Sequence, residues 1–171
     1  MIVGLSGYAG AGKSTAATEL VAMGYQRRKF AAPLKNMMRA LLLAQGADAA
    51  ERERMIEGDL KEVPTVYLNG QTPRYAMQTL GTDWGRALIS ESLWADAAVR
   101  DVTGHAVFDD VRFDNEAEAI RSRGGVIIEI RRPGVGPVNN HVSERPPAPD
   151  HVVVNDGTAA ELALAVWLLT V

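Results

Sequence analysis

Gly7, Gly12, Lys13 and Ser14, in the stretch "GLSGYAGAGKST", satisfy the spacing G-x-x-x-x-G-K-[ST]. Successive backbone N–H groups in such a loop wrap phosphate oxygens, the lysine reaches the β and γ phosphates, and the hydroxyl takes Mg2+. A helix opening at Lys13 would add positive potential at its N-terminus. The plain alternative is a flexible glycine turn before an ordinary helix. A second constellation lies in "AVFDDVRFDNEAE", where an apolar strand runs into Asp109 and Asp110. A carboxylate at that end suits Mg2+ or the polarisation of an attacking oxygen; Asp110 is the first choice and Asp109 the second. Arg112 stands close enough in sequence to fork onto a phosphate. Asp109, Asp110 and Asp114 could instead all cap the following helix, and Asp114 is read as such a cap.

A third set is helical. Arg74, Gln78 and Gly81 follow one another at spacings of four and three, while Met77, Leu80, Trp84 and Leu88 form an opposite, apolar stripe read as core. Arg74 and Gln78 would then project together, a guanidinium for a phosphate and an amide for a base edge. A solvated helix face is the competing reading.

These residues need a scaffold. Strand, loop and helix follow in order from Ile2 to Gly24, and "YQRRKF" alternates as a weak second strand. "APLKNMMRALLLAQ" repeats apolar residues at helical spacing. Residues 46–73, punctuated by Gly58, Pro64, Gly70 and Pro73, read as a helix with loops, and residues 74–99 as helical. "HAVFDD" and "GGVIIEI" read as buried strands separated by the helix "NEAEAIRSR", and "HVVVND" and "TAAELALAVWLLT" as a last strand and helix. Alternating strands and helices predict an α/β fold with a mostly parallel sheet of about five strands, covered on both faces. The proline-rich segment "RRPGVGPVNNHVSERPPAPD" is long enough to be a lid.

At 171 residues the chain fits one domain. A net charge of -3 argues against sequence-independent binding to a nucleic acid polymer, which needs a basic surface. The absence of cysteine excludes disulfides, thiol catalysis and cysteine zinc sites. Neither a signal sequence nor a membrane span is legible, so a cytoplasmic protein is expected.

The chain resembles the phage-type deoxynucleoside monophosphate kinases over nearly its full length, through "GLSGYAGAGKST", "FAAPLK", "LKEVP", "TPRYAMQTLGTDWGR", "VFDDVRFDNEAEAI", "IIEIRRPG", "HVSE" and "DHVVVNDGT". The first stretch is common to P-loop proteins; "TPRYAMQTLGTDWGR" and "DDVRFDNE" are the specific ones. The resemblance implies a P-loop kinase fold, ATP with Mg2+, and in-line transfer of the γ-phosphoryl to a deoxynucleoside 5'-monophosphate. It extends the ATP site to Gly10, Ala11 and Thr15, and to Asn155 and Gly157 of "NDGT" beside the base. It makes Lys35, Lys61, Arg74, Gln78, Gly81, Thr82 and Arg86 acceptor-site residues, within an acceptor region of about residues 46–100. Arg131 and Arg132 become lid arginines, the lid running over about residues 131–150, with His141, Ser143 and Glu144 as a latch. Lys13, Asp110, Arg112, Arg131 and Arg132 are the catalytic set it implies, with Ser14 and Asp110 on the metal. Ala32 departs from the pattern, since the family often has an acidic residue there. A host-cytoplasmic enzyme, monomeric or homodimeric, is expected. The competing functions are a kinase of dephospho-coenzyme A or another small metabolite, and an ATP-binding switch without turnover.

Overall fold

All five residues of β1 (Ile2–Ser6) are buried, as befits a strand in the middle of a parallel sheet that is covered on both faces. The computed structural model describes residues 1–136 and 146–170. It contains two compact units, one made of Met1–Phe30 with Ala98–Val171 and the other of Ala31–Ala97. In chain order β1 is followed by α1 (Lys13–Ala22), β2 (Gln26–Arg28), α2 (Ala32–Ala44), α3 (Ala49–Glu57), α4 (Pro73–Thr79), a π-helix (Leu80–Ile89) and α5 (Leu93–Arg100). Then come β3 (Ala106–Phe108), α6 (Asp114–Arg121), β4 (Val126–Arg131), β5 (His151–Val154) and α7 (Ala159–Leu168).

The first unit holds a five-stranded, wholly parallel sheet in the order β2-β3-β1-β4-β5. Val3 pairs with Val107 and Val126, and Gly4 with Phe108 and Ile127. Side chains alternate across a strand, so Val3, Leu5, Val107, Ile128 and Ile130 share one face. There they pack with Ala16, Ala17 and Leu20 of α1 and Leu162 and Val166 of α7. The other face belongs to α6: a Cβ on Gly4 would lie 2.7 Å from the Cδ1 atoms of both Ile120 and Ile127, so only glycine lets that helix approach. The connection after β1 thus runs over one face and that after β3 over the other. Such an arrangement opens a crevice at the C-terminal ends of the two adjacent strands.

The entry to α6 differs from expectation. Asp114 occupies the first helical position and makes no cap; the carboxylate of Glu116 does that work, accepting the backbone N–H groups of Arg112 at 2.7 Å and Phe113 at 3.2 Å. A glutamate in the third position can reach back in this way, as in a capping box.

The second unit is helical, around Met38, Leu42, Met55, Ile56 and Met77. Here too one expectation fails. Met77 is buried, but Trp84 is 39% and Leu88 74% exposed, so the apolar stripe does not continue as core. The reason is the change of pitch after Thr79: in the π-helix the backbone bonds span five residues rather than four, as in Ser90 N–H to the Gly85 carbonyl, and positions drift off the 3.6-residue repeat. The residue turned inward is Gly85, against which the indole of Trp94 lies; the Trp94 Nε1–H donates to the Gly81 carbonyl at 2.9 Å. A Cβ on Gly85 would stand 2.4 to 2.7 Å from three indole atoms. Gly85→Ala should therefore destabilise the protein by about 1–3 kcal/mol through overpacking, read as a lower urea midpoint, whereas Trp84→Ala should change stability far less.

Candidate active site

The turn between β1 and α1 owes its shape to close contacts. Gly7, Gly10 and Gly12 have φ of 126°, 82° and 110°, which side chains rarely adopt. A Cβ on Gly7 would lie 2.3 Å from the Ile130 carbonyl oxygen, and one on Gly12 would lie 2.4 Å from Asn155 Nδ2. That same Asn155 amide donates to the Ala11 carbonyl at 2.8 Å, while the Asn155 backbone N–H donates to Arg131. Asn155 is thus a brace under the loop, and Ala11 is buried in the core. Gly10, Ser14 and Thr15 are exposed, and Gly12 and Lys13 half-buried. Lys13 Nζ donates to the Gly7 carbonyl at 2.7 Å and the Tyr8 carbonyl at 2.8 Å, folded onto its own loop.

Beside this loop is a cavity of about 260 Å³ whose lining includes Lys13, Ser14, Lys29, Asp109, Asp110 and Arg112. The two aspartates diverge. Asp109 Oδ2 accepts from the Ser14 hydroxyl at 3.4 Å and pairs with the Arg27 guanidinium. Asp110 Oδ1 accepts the Phe30 backbone N–H at 3.1 Å, on the side where Phe30 stacks on Phe108. Register explains the split. Arg27 pairs with Val107, so Arg27, Val107 and, two residues on, Asp109 all face α1. Asp109 Oδ1 is buried without a hydrogen-bond partner among the described residues; the Lys29 ammonium is 4.0 Å away. A hydroxyl, a buried carboxylate with an orphaned oxygen and a glycine cradle closed to side chains suit a magnesium nucleotide.

On the far side of the loop, Tyr8, Glu129, Arg131, Arg132, Pro133 and Val154 help line a second cavity of about 400 Å³. The two arginines are unlike. Arg131 Nη2 donates to the buried Glu129 at 2.7 Å, a pairing that raises the Arg131 pKa above its ordinary value. Arg132 is exposed. Gly157 opens the turn into α7, where a Cβ would meet Glu161 Oε2 at 2.5 Å. The expected latch residues His141, Ser143 and Glu144 lie outside the described residues.

The acceptor candidates belong to the second unit. Arg74 and Gln78 are both exposed on α4, and Arg74 Nε donates to Glu62 at 2.6 Å. Lys35 pairs with Glu57 at 2.6 Å. Lys61 is half-buried and its pKa is lowered, first by burial and then by the charges of Lys35 and Arg74, against Glu57 and Glu62. Lys35 and Arg74 thus both lie within electrostatic reach of Lys61. Gly81 does not join them: a Cβ there would lie 2.8 Å from Leu34 Cδ1, so its glycine is explained by packing. Thr82 is exposed and Arg86 half-buried in the π-helix.

A family model described as "Deoxynucleotide monophosphate kinase" matches residues 55–166. A protein of Acanthamoeba polyphaga mimivirus, named "Putative deoxynucleotide monophosphate kinase", is 33% identical over 162 residues, covering 84% of this chain and 80% of that one. The chain belongs to the deoxynucleotide monophosphate kinase family. It is therefore a kinase that uses ATP to phosphorylate deoxynucleotide monophosphates, which decides among the activities the sequence leaves open. The fold agrees: shikimate kinase from Aquifex aeolicus superposes with a TM-score of 0.53 at 13% identity, over 98% of this chain and 95% of that one. Among the described residues no helix is long and apolar enough to cross a membrane.

Three groups of this kinase are hard to see in the sequence. Arg27 and Lys29 carry only the signal of a basic run, "RRK", at the end of a strand. Glu129 carries none beyond an acidic residue in an apolar strand. The bracing role of Asn155 depends on a contact 144 residues away along the chain. Asn155→Ala should leave the loop without its underside, raising the KM for ATP several-fold with little change in that for the monophosphate; steady-state titration of each substrate reads the difference.

Proposed function

We propose that phosphoryl transfer by this chain runs in line from ATP to a deoxynucleoside 5'-monophosphate, with donor chemistry built on Lys13, Ser14 and Asp109. The observation that carries the reading is the convergence of Ser14 and the buried Asp109 carboxylate beside the loop of Lys13. Ser14 and Asp109 are the groups that would hold Mg2+, directly or through water. Mg2+, when bound, neutralises charge on the transferring phosphate. Asp109 takes the place first given to Asp110, because the Ser14 hydroxyl donates to Asp109, whereas Asp110 accepts the Phe30 backbone N–H.

Lys13 leaves its loop carbonyls to meet the β and γ phosphates, where it makes charge-assisted hydrogen bonds. Arg112 lines the same cavity and is placed for the transferring phosphoryl. Arg131, Arg132 and Tyr8 border the second cavity, whose apolar walls, Pro133 and Val154 among them, suit a nucleotide base. Arg132 serves as the lid arginine, since Arg131 is held by Glu129. In the second unit Lys35, Lys61 and Arg74 take the monophosphate, and Gln78 reads its base. No group forms a covalent intermediate; orientation and charge neutralisation lower the barrier. Host cytoplasm, and a monomer or homodimer, complete this reading.

A coupled ADP-release assay over all deoxy- and ribonucleoside monophosphates tests the reaction, with acceptor-free controls; ADP release independent of acceptor would overturn it. Asp109→Asn should lower kcat by about 10² or more and move the Mg2+ requirement to higher concentration. Asp110→Asn should leave the Mg2+ requirement near that of the parent, and the opposite ordering would return the metal role to Asp110.

Lys61 gives a pH signature. Its protonated form binds phosphate, and its lowered pKa means that the charge is lost sooner, as pH rises, than from an ordinary lysine. The KM for monophosphate should therefore climb on the alkaline side below the usual lysine range, while Lys61→Arg, which stays charged, flattens the climb. An identical profile in the two proteins would remove Lys61 from the acceptor site.

A further inference from the structure

The charge balance at Asp109 has a participant that the transfer reaction does not explain. The Asp109 side chain is 2% exposed, and a buried carboxylate without a counter-charge is costly. Arg27 supplies that charge from β2, on the same face of the sheet, with its own side chain 34% exposed and so open to solvent. Its guanidinium and the Ser14 hydroxyl share Oδ2, which leaves Oδ1 without a hydrogen bond among the described residues. Lys29, lining the cavity, adds a second positive charge 4.0 Å from Oδ1. A divalent cation approaching Asp109 without phosphates meets a carboxylate already paired with Arg27 and a second cation, Lys29, beside it, in a cavity that Lys13, Arg112 and Asp110 also line. One arriving with the triphosphate brings its own excess of negative charge.

We propose that Arg27 is a positioning residue that neutralises and orients Asp109 in the nucleotide-free protein, making divalent-cation binding depend on nucleotide. This rests on the reading of Asp109 as the metal-side carboxylate. Arg27 touches no reacting atom. It acts through Asp109, turning the free oxygen away from itself and suppressing capture of the metal alone.

The test is Mn2+ binding followed, without nucleotide, by loss of the free-ion electron paramagnetic resonance signal and, with ATP and no acceptor, by enhancement of water-proton relaxation over a protein-free Mn2+–ATP control, since ATP itself chelates the ion. The parent protein should give relaxation enhancement with Mn2+–ATP and bind Mn2+ alone only weakly. Arg27→Gln should tighten binding of Mn2+ alone by about tenfold, Arg27→Lys much less, and Arg27→Gln with Asp109→Asn should return to weak binding. Melting adds a structural readout: Mn2+ alone should raise the Tm of Arg27→Gln and leave that of the parent unmoved. Tight binding of Mn2+ alone by the parent protein overturns the proposal without any variant that needs to fold. So does an Arg27→Gln protein whose affinity for Mn2+ alone is unchanged while Asp109→Asn still weakens Mn2+ binding with ATP. If Asp109→Asn leaves Mn2+ binding with ATP intact, it is the assignment of Asp109 itself that fails.

Discussion

The register between β1 and β3 is the constraint on which the donor site depends. Val3 opposite Val107 and Gly4 opposite Phe108 fix which residues of β3 look toward α1. A slip of one residue would exchange the two faces of the strand. Val107 would then leave the core beside Leu20, and Asp110 in place of Asp109 would meet Ser14. The apolar demand of the α1 face, filled by Val3, Leu5, Val107 and Ile128, opposes any such slip. Hydrophobic packing well below the cleft thereby selects the carboxylate at its rim.

The same logic separates what the sequence reveals from what it hides. β1, β4 and α7 are legible because their burial comes from apolar runs whose lengths suit a strand or a helix. The phosphate loop is legible because its glycines answer a local need for positive φ. The choice between Asp109 and Asp110 is not local, since both follow the same strand and only pairing with β1 tells them apart. The π-helix is hidden for a different reason. Met77, Leu80, Trp84 and Leu88 satisfy an α-helical repeat, yet Trp94, from beyond the break at Ser90, requires bare backbone at Gly81 and Gly85. Tertiary packing overrides local periodicity there.

Carboxylates also accompany the cations of the second unit. Lys35 with Glu57 and Arg74 with Glu62 are partly exposed pairs of the kind that contribute little to stability. Their value lies elsewhere. In the acceptor site proposed above, each pairing would hold its cation in place, so that less rotamer entropy would be lost on binding a phosphate. Lys61 is opposed by burial and by the like charges of Lys35 and Arg74, which lowers its pKa.

Adjacent arginines at the end of β4 show how alternation assigns unequal work to identical residues. Glu129 and Arg131 are two apart and share a face, and Glu129 is buried, so Arg131 is needed where it stands as a counter-charge. Withdrawing it to follow a phosphate would leave an unpaired buried anion. Arg132 lies just past the strand, exposed on the border of the same cavity and outside the Glu129 pair. Movement of Arg132 would leave the Glu129 pair intact, which is why the lid role is proposed for it. In "IIEIRRPG" that distinction is written by the glutamate two residues before Arg131, and it becomes readable once the stretch is known to be a strand.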